Sequence, residues 1–103
     1  MKVLIPGHTY ELANFENNEV NKQILQFIHK EPIEGTTELL TLSDGTTNEE
    51  LFEVLIDRMS FLQAKFPCKE NAIVITNLEE SLMWLNKRTA DRLKRNVEGK
   101  QLA

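Results

Sequence analysis

Residues 66–99 read FPCKENAIVITNLEESLMWLNKRTADRLKRNVEG. Apolar residues recur through this stretch at Ala72, Ile75, Leu78, Leu82 and Leu85. Three- and four-residue spacing puts one stripe on one face of a helix, here predicted from about Glu70 to Lys94. Upstream, Thr47-Asn48-Glu49-Glu50 has the form of a capping box, in which the Thr47 hydroxyl accepts from the Glu50 amide and Glu50 reaches back. A first helix follows from about Asn48 to Lys65, with its stripe on Phe52, Leu55/Ile56, Met59, Leu62 and Phe66. Only Phe66, Pro67 and a few residues separate the two. A short connection between amphipathic helices implies an antiparallel hairpin. The tail after Asn96 is expected to fray.

The first 46 residues have a different texture. Lys2 to Ile5 is a short β-prone run stopped by Pro6-Gly7, and His8 to Leu12 alternates between faces. Ile24 to Ile28 is apolar, and Glu31-Pro32 interrupts it because the residue before proline avoids helical geometry. Glu38 to Leu42 is a further strand candidate. Asn17-Asn18 is a turn signal. These features predict one small antiparallel sheet of three or four strands. Gln23 to Lys30 also suits a short helix, and periodicity does not decide over so few residues. The fold class is α+β: a small N-terminal antiparallel β-sheet (1–46), then a C-terminal antiparallel α-helical hairpin (47–103), in a single domain.

A chain of 103 residues is one domain by size and buries a modest core, so association with a second copy bears on its stability. Its apolar runs are far shorter than the ~20 residues that span a bilayer. MKVLIPGHTYEL has neither the apolar region nor the cleavage site of a secretory signal. One cysteine, Cys68, permits no intrachain disulfide and fits a reducing compartment. A cytoplasmic setting is therefore expected. The net charge of −4 argues against general DNA or RNA binding. Its distribution is uneven. Lys87 to Lys100 carries six cations against Asp91 and Glu98. Such a patch suits a small anion, yet cations are also favoured at any helix C-terminus, where they oppose the macrodipole.

Signals for catalysis are weak. No metal-ligand spacing, glycine-rich phosphate loop or nucleophile motif occurs. His8 and His29 are isolated in sequence and read as structural or surface residues. Cys68 stands beside a helix start with no placed base. Neither a catalytic residue nor a metal or cofactor is expected. Three features fit the core pattern poorly. Phe61 lies beside the main stripe, near Val54, Arg58 and Lys65, where it packs on another surface or stacks on a base. Arg88, Arg92 and Arg95 recur at i, i+4 and i+7 and so share a face, and Arg88 is four residues after Trp84. Guanidinium groups fork onto phosphate oxygens and stack on rings; a solvated face is the plainer alternative. Asn71 caps the second helix or offers its amide to a ligand edge.

The string from Gly45 to Gly99, with GHTYELANFE, LQFIHKEP and SDGTTNEE ahead of or at its start, closely resembles the phage Thoeris anti-defence 1 family over nearly the whole chain. The NAIVITNLEESLMW portion is shared more loosely with phage sponges that counter CBASS cyclic-nucleotide signalling. The resemblance implies a sponge rather than an enzyme, acting in the infected host. Such proteins hold intact the glyco-cyclic ADP-ribose signal made by TIR-domain enzymes, as homodimers or larger rings of dimers, with the signal where two subunits meet. Some also take up cyclic oligonucleotides. Carried over by motif, the implied ligand contacts are Phe61 (MSFLQAKFP), Asn71 (KEN) and Arg88 (KRT). Arg92 and Arg95 are added because they follow on the same helical face. Two departures stand out: Asn96 where glycine is expected before VEG, and Lys69 where arginine is frequent. A sponge for cyclic di- or tri-nucleotides and a dimeric nucleic-acid-binding or interaction module remain the alternatives.

Overall fold

The computed structural model describes residues 1–16 and 19–96. The Asn17-Asn18 turn and the tail beyond Asn96 lie outside them. Two compact units divide the chain, Met1–Thr47 and Asn48–Ala103.

The first unit is all β. Its strands are β1 (Lys2–Ile5), β2 (Thr9–Leu12), β3 (Gln23–Gln26), β4 (His29–Pro32) and β5 (Leu39–Ser43). They form two antiparallel sheets, β1-β2-β3 and β4-β5, rather than one sheet of three or four strands. The strand missing from the sequence reading is β4. Glu31-Pro32 does stop it, but Pro32 still pairs with Leu39 as its last residue. Proline is tolerated at such a place, since a strand's end and edge need no further N–H donor. The β1–β2 connection follows from its composition. The His8 N–H donates to the Ile5 carbonyl at 3.0 Å, with Pro6 and Gly7 at the two corners. Gly7 has φ 79°, the left-handed value that this turn demands of its third residue. β2 and β3 run in register from Thr9↔Gln26 to Leu12↔Gln23. Thr9 is the one buried residue of this unit among the described residues, and its hydroxyl donates to Gln26 Oε1 at 2.6 Å.

The return from β5 passes close under β3. The Thr46 N–H donates to the Gln26 carbonyl and the Ile28 N–H to the Thr46 carbonyl, both at 2.9 Å. This crossing requires a glycine at 45. A β-carbon there would stand 2.5 Å from the Gln26 oxygen and 2.7 Å from the Phe27 carbonyl carbon.

The second unit is the expected hairpin, α1 (Asn48–Lys65) and α2 (Lys69–Lys94). α1 begins one residue after Thr47, where the capping box puts it. The connection is clamped by a single side chain: Gln63 Nε2 donates to the Cys68 carbonyl and its Oε1 accepts from the Cys68 N–H, each at 3.0 Å. Cys68, not Asn71, caps α2; its sulfur accepts from the Asn71 N–H at 3.4 Å. At the far end, Asn96 has φ 57° and donates its N–H to Leu93 O at 3.0 Å. That is the left-handed position that ends many helices. Glycine fits there without strain, and asparagine is the next best residue.

The seams differ slightly from the expected stripes. On α1 the half-buried positions include Phe52, Ile56, Met59, Leu62 and Gln63, while Leu55 and Phe66 are exposed. On α2 they are Asn71, Ile75, Leu78, Leu82, Leu85 and Thr89, while Ala72 is exposed. Among the described residues, no apolar side chain is buried in either unit. No helix of the described residues is long and apolar enough to cross a membrane.

Candidate functional site

The three arginines come together. Arg88, Arg92 and Arg95 line a groove of about 270 Å³ along the last turns of α2, with Trp84, Lys87 and Asp91 completing the wall. The helical period accounts for this: positions 84, 88, 92 and 95 succeed one another along one side of a helix. The three are not equivalent. Arg88 and Arg95 are exposed, whereas Arg92 is 4% exposed and its side chain is engaged within the structure. Four cations against one carboxylate make the groove strongly attractive to anions. Their spacing along one face offers forked donors to more than one phosphate oxygen.

Trp84 and Lys87 belong to this wall and were absent from the residues picked by motif. Trp84 is 55% exposed, beside the Leu82–Leu85 seam rather than on it. The Lys87 ammonium rests 5.0 Å from its ring centroid, a cation–π arrangement. The signal for Trp84 was present in the sequence as its four-residue lead over Arg88.

Phe61 and Asn71 lie at the other end of the hairpin. Phe61 stands one turn before the end of α1, is 56% exposed, and carries Lys65 Nζ 5.0 Å from its ring centroid. Asn71 is in the first turn of α2, half-buried, at the head of the seam. With the cap supplied by Cys68, its amide is spared that duty. At 1.5 Å per residue, the seventeen residues from Asn71 to Arg88 span about 26 Å. The five residues therefore divide between two ends of the hairpin, Phe61 and Asn71 near the connection and the three arginines at the far end of α2.

A larger groove of about 710 Å³ runs between α1 and α2 over Ile56, Leu82 and Met83. Its rim carries Glu53, Asp57 and Glu79, the wrong sign for an anionic ligand. The smaller groove is the one with cationic walls.

Fold and groove together define a class: a small α+β protein whose helical hairpin displays a tryptophan-edged cationic groove. The family model described as Acb2/Tad1, hairpin domain, matches residues 18–90, and the chain belongs to that family. The match takes in Phe61, Asn71, Trp84 and Arg88 and stops short of Arg92 and Arg95. The chain is also 53% identical over 58 residues to a protein named Thoeris anti-defense 1 of Bacillus phage SBSphiJ7. That similarity covers 55% of this chain and 41% of the phage protein, so the chain spans less than half of that relative's length.

Proposed function

We propose that this chain is a phage immune-evasion protein that binds and sequesters the TIR-derived glyco-cyclic ADP-ribose signal of Thoeris defence, in the host cytoplasm, without degrading it. The observation that carries the reading is the groove of Lys87, Arg88, Arg92 and Arg95 beside Trp84. A diphosphate linked to adenine needs forked cationic donors and an aromatic face, and this wall supplies both. Membership of the hairpin family and likeness to a protein named for Thoeris anti-defence support the same choice. Sequestration needs no general base, and arginine, charged at any physiological pH, makes a poor one.

The ligand sits between two copies of the chain. At about 270 Å³ the groove falls below the ~300–1,000 Å³ of pockets that enclose a small molecule. Phe61 and Asn71 are too far along the hairpin to complete it in cis. An antiparallel pair of hairpins brings the Phe61–Asn71 end of one protomer to the arginine end of its partner. The absence of buried apolar side chains among the described residues supports such pairing, because chains that live alone bury theirs. A homodimer, or a ring of dimers, is the expected assembly.

Isothermal titration with glyco-cyclic ADP-ribose tests the reading. Saturable heat is expected, with chemically intact nucleotide recovered after denaturation. Absence of both heat and a melting shift would sink it, and altered nucleotide would make the protein an enzyme. A parallel panel of cyclic di- and tri-nucleotides separates the CBASS-type alternative. Salt-sensitive binding to DNA or RNA alone would favour a nucleic-acid module.

A further inference from the structure

The fold brings together three side chains that the sequence keeps apart. His8 precedes β2, His29 opens β4 and Glu31 follows it two residues on. The His8 and His29 rings stack with centroids 3.6 Å apart and planes 9° from parallel. His29 Nε2 and Glu31 Oε1 are 2.7 Å apart. We propose that His8, His29 and Glu31 form a binding site for a divalent transition-metal ion of the zinc type, which ties the two sheets of the N-terminal unit together.

The backbone sets this cluster up. The Phe27 N–H donates to the His8 carbonyl at 2.8 Å, which locks the β1–β2 turn against the segment leading into β4. The β4–β5 pairing is irregular between His29 and Lys30, and the 2.7 Å contact shows that the His29 and Glu31 side chains lie on one side. Both histidines are half-buried, with the His29 side chain 15% exposed, while Glu31 is 51% exposed and leaves a side open to water. The donor set is two imidazole nitrogens and one carboxylate oxygen. That combination suits zinc and its neighbours, and it leaves a fourth tetrahedral position for water. Magnesium and calcium prefer all-oxygen shells.

Geometry permits the ion with small adjustments. One ligand atom from each residue lies within 4.8 Å of the other two. The centre of a triangle with 4.8 Å sides is about 2.8 Å from each corner, and zinc bonds are about 2.0–2.2 Å. Shifts of less than about 1 Å close that difference, and the two imidazoles turn out of their parallel stack so that both ring-plane lone pairs face the ion. The hydrogen bond between His29 and Glu31 and the stacking of His8 on His29 hold all three side chains at one place before an ion arrives.

The unit also has a use for such an ion. It spans Met1–Thr47, buries no apolar side chain among its described residues, and is near the size at which domains need metals, disulfides or partners. Metal that binds only the folded arrangement adds its binding energy to folding. It would join the sheet of β1-β2-β3 to that of β4-β5.

The experiment uses the full chain without an affinity tag, stripped with EDTA and titrated with Zn²⁺ by calorimetry. Thermal melting and Co²⁺ absorption run in parallel. One ion per chain is expected, with a raised melting temperature and the visible bands of four-coordinate cobalt. His8→Asn and Glu31→Gln should each weaken Zn²⁺ binding about tenfold or more. Cys68→Ser, which removes the one exposed thiol that offers zinc another site, should leave it unchanged. Absent zinc binding, or binding that survives both His8→Asn and Glu31→Gln, or binding lost in Cys68→Ser, overturns the proposal. Where circular dichroism shows His8→Asn to be misfolded, the half-exposed Glu31→Gln decides alone.

Discussion

Chains carrying Phe61→Ala and chains carrying Arg88→Ala should each fail to bind the signal tightly, yet bind it when mixed. The reasoning starts from the ~26 Å that separates Asn71 from Arg88 along α2. Phe61 shares the Asn71 end, so Phe61 and Arg88 reach one small nucleotide only from different protomers. Loss of a charge-assisted contact costs about 1.5–3 kcal/mol, so Arg88→Ala alone should weaken binding roughly 10- to 150-fold. Loss of an aromatic face costs about 1–3 kcal/mol, giving a similar range for Phe61→Ala. In a two-fold dimer of one chain of each kind, one pocket combines both substitutions and the other combines neither. Random pairing makes half of the dimers mixed, so about one quarter of all pockets regain wild-type affinity. The two chains are co-expressed, so that dimers form from a common pool. Calorimetry then reads the number of tight sites per chain directly. A tight-site fraction near one quarter of wild type is expected. If both residues acted within one chain, every pocket in a mixed dimer would lack one of them and the tight fraction would be zero. That result refutes the shared-pocket argument, even if each single substitution weakens binding.

Other expectations concern stability and are read by thermal or urea unfolding. Gly45→Ala should destabilise by about 1–3 kcal/mol, because the added carbon meets the Gln26 and Phe27 backbone at 2.5–2.7 Å rather than a movable side chain; an unchanged midpoint would mean that the β5 return is not held against β3. Asn96→Gly should be neutral or slightly stabilising and Asn96→Ala destabilising by up to about 1 kcal/mol, since only the latter is strained at φ 57°; equal midpoints would remove the cap argument. Gln63→Leu deletes both hydrogen bonds to Cys68 and should cost about 1–2 kcal/mol, with helix content retained; no loss would show that the connection holds its shape without the clamp.

The helices were legible because their signals are local. Thr47 to Glu50 announced the start of α1, and the spacing of Ile75, Leu78, Leu82 and Leu85 placed α2 to within a residue of Lys69–Lys94. The sheets were only partly legible. β4 carries His29, Lys30, Glu31 and Pro32, with no alternation of apolar residues to betray it, and its partner β5 supplies the pairing. Asn71 read as a cap because asparagine is a strong capping residue; Cys68 took the position three residues earlier. His8 and His29 read as isolated because stacking across two sheets is a property of topology, invisible to any window of sequence. On the groove, the i, i+4, i+7 arginines were readable from periodicity alone, whereas the burial of Arg92 was not.

That burial bears on why the hairpin has polar ends. Positions 71, 75, 78, 82, 85, 89 and 92 alternate by four and three, the rhythm of a packed helix seam. Ile75, Leu78, Leu82 and Leu85 occupy its middle, as packing requires. Asn71 stands at its head, half-buried, and Arg92 near its foot, buried. Leucine at either place would continue the stripe and add about 1.5–3 kcal/mol where burial became complete. Sequences often break a local packing rule at functional sites. The dipole account covers Lys94 and Arg95, which sit in solvent at the helix end. It does not cover a guanidinium placed in the seam. An arginine held there has its donors fixed before any ligand arrives, and fixed donors lose little entropy on binding. Polar groups at both ends of an apolar seam, too far apart to serve one ligand from one chain, are what a pocket shared between antiparallel copies calls for.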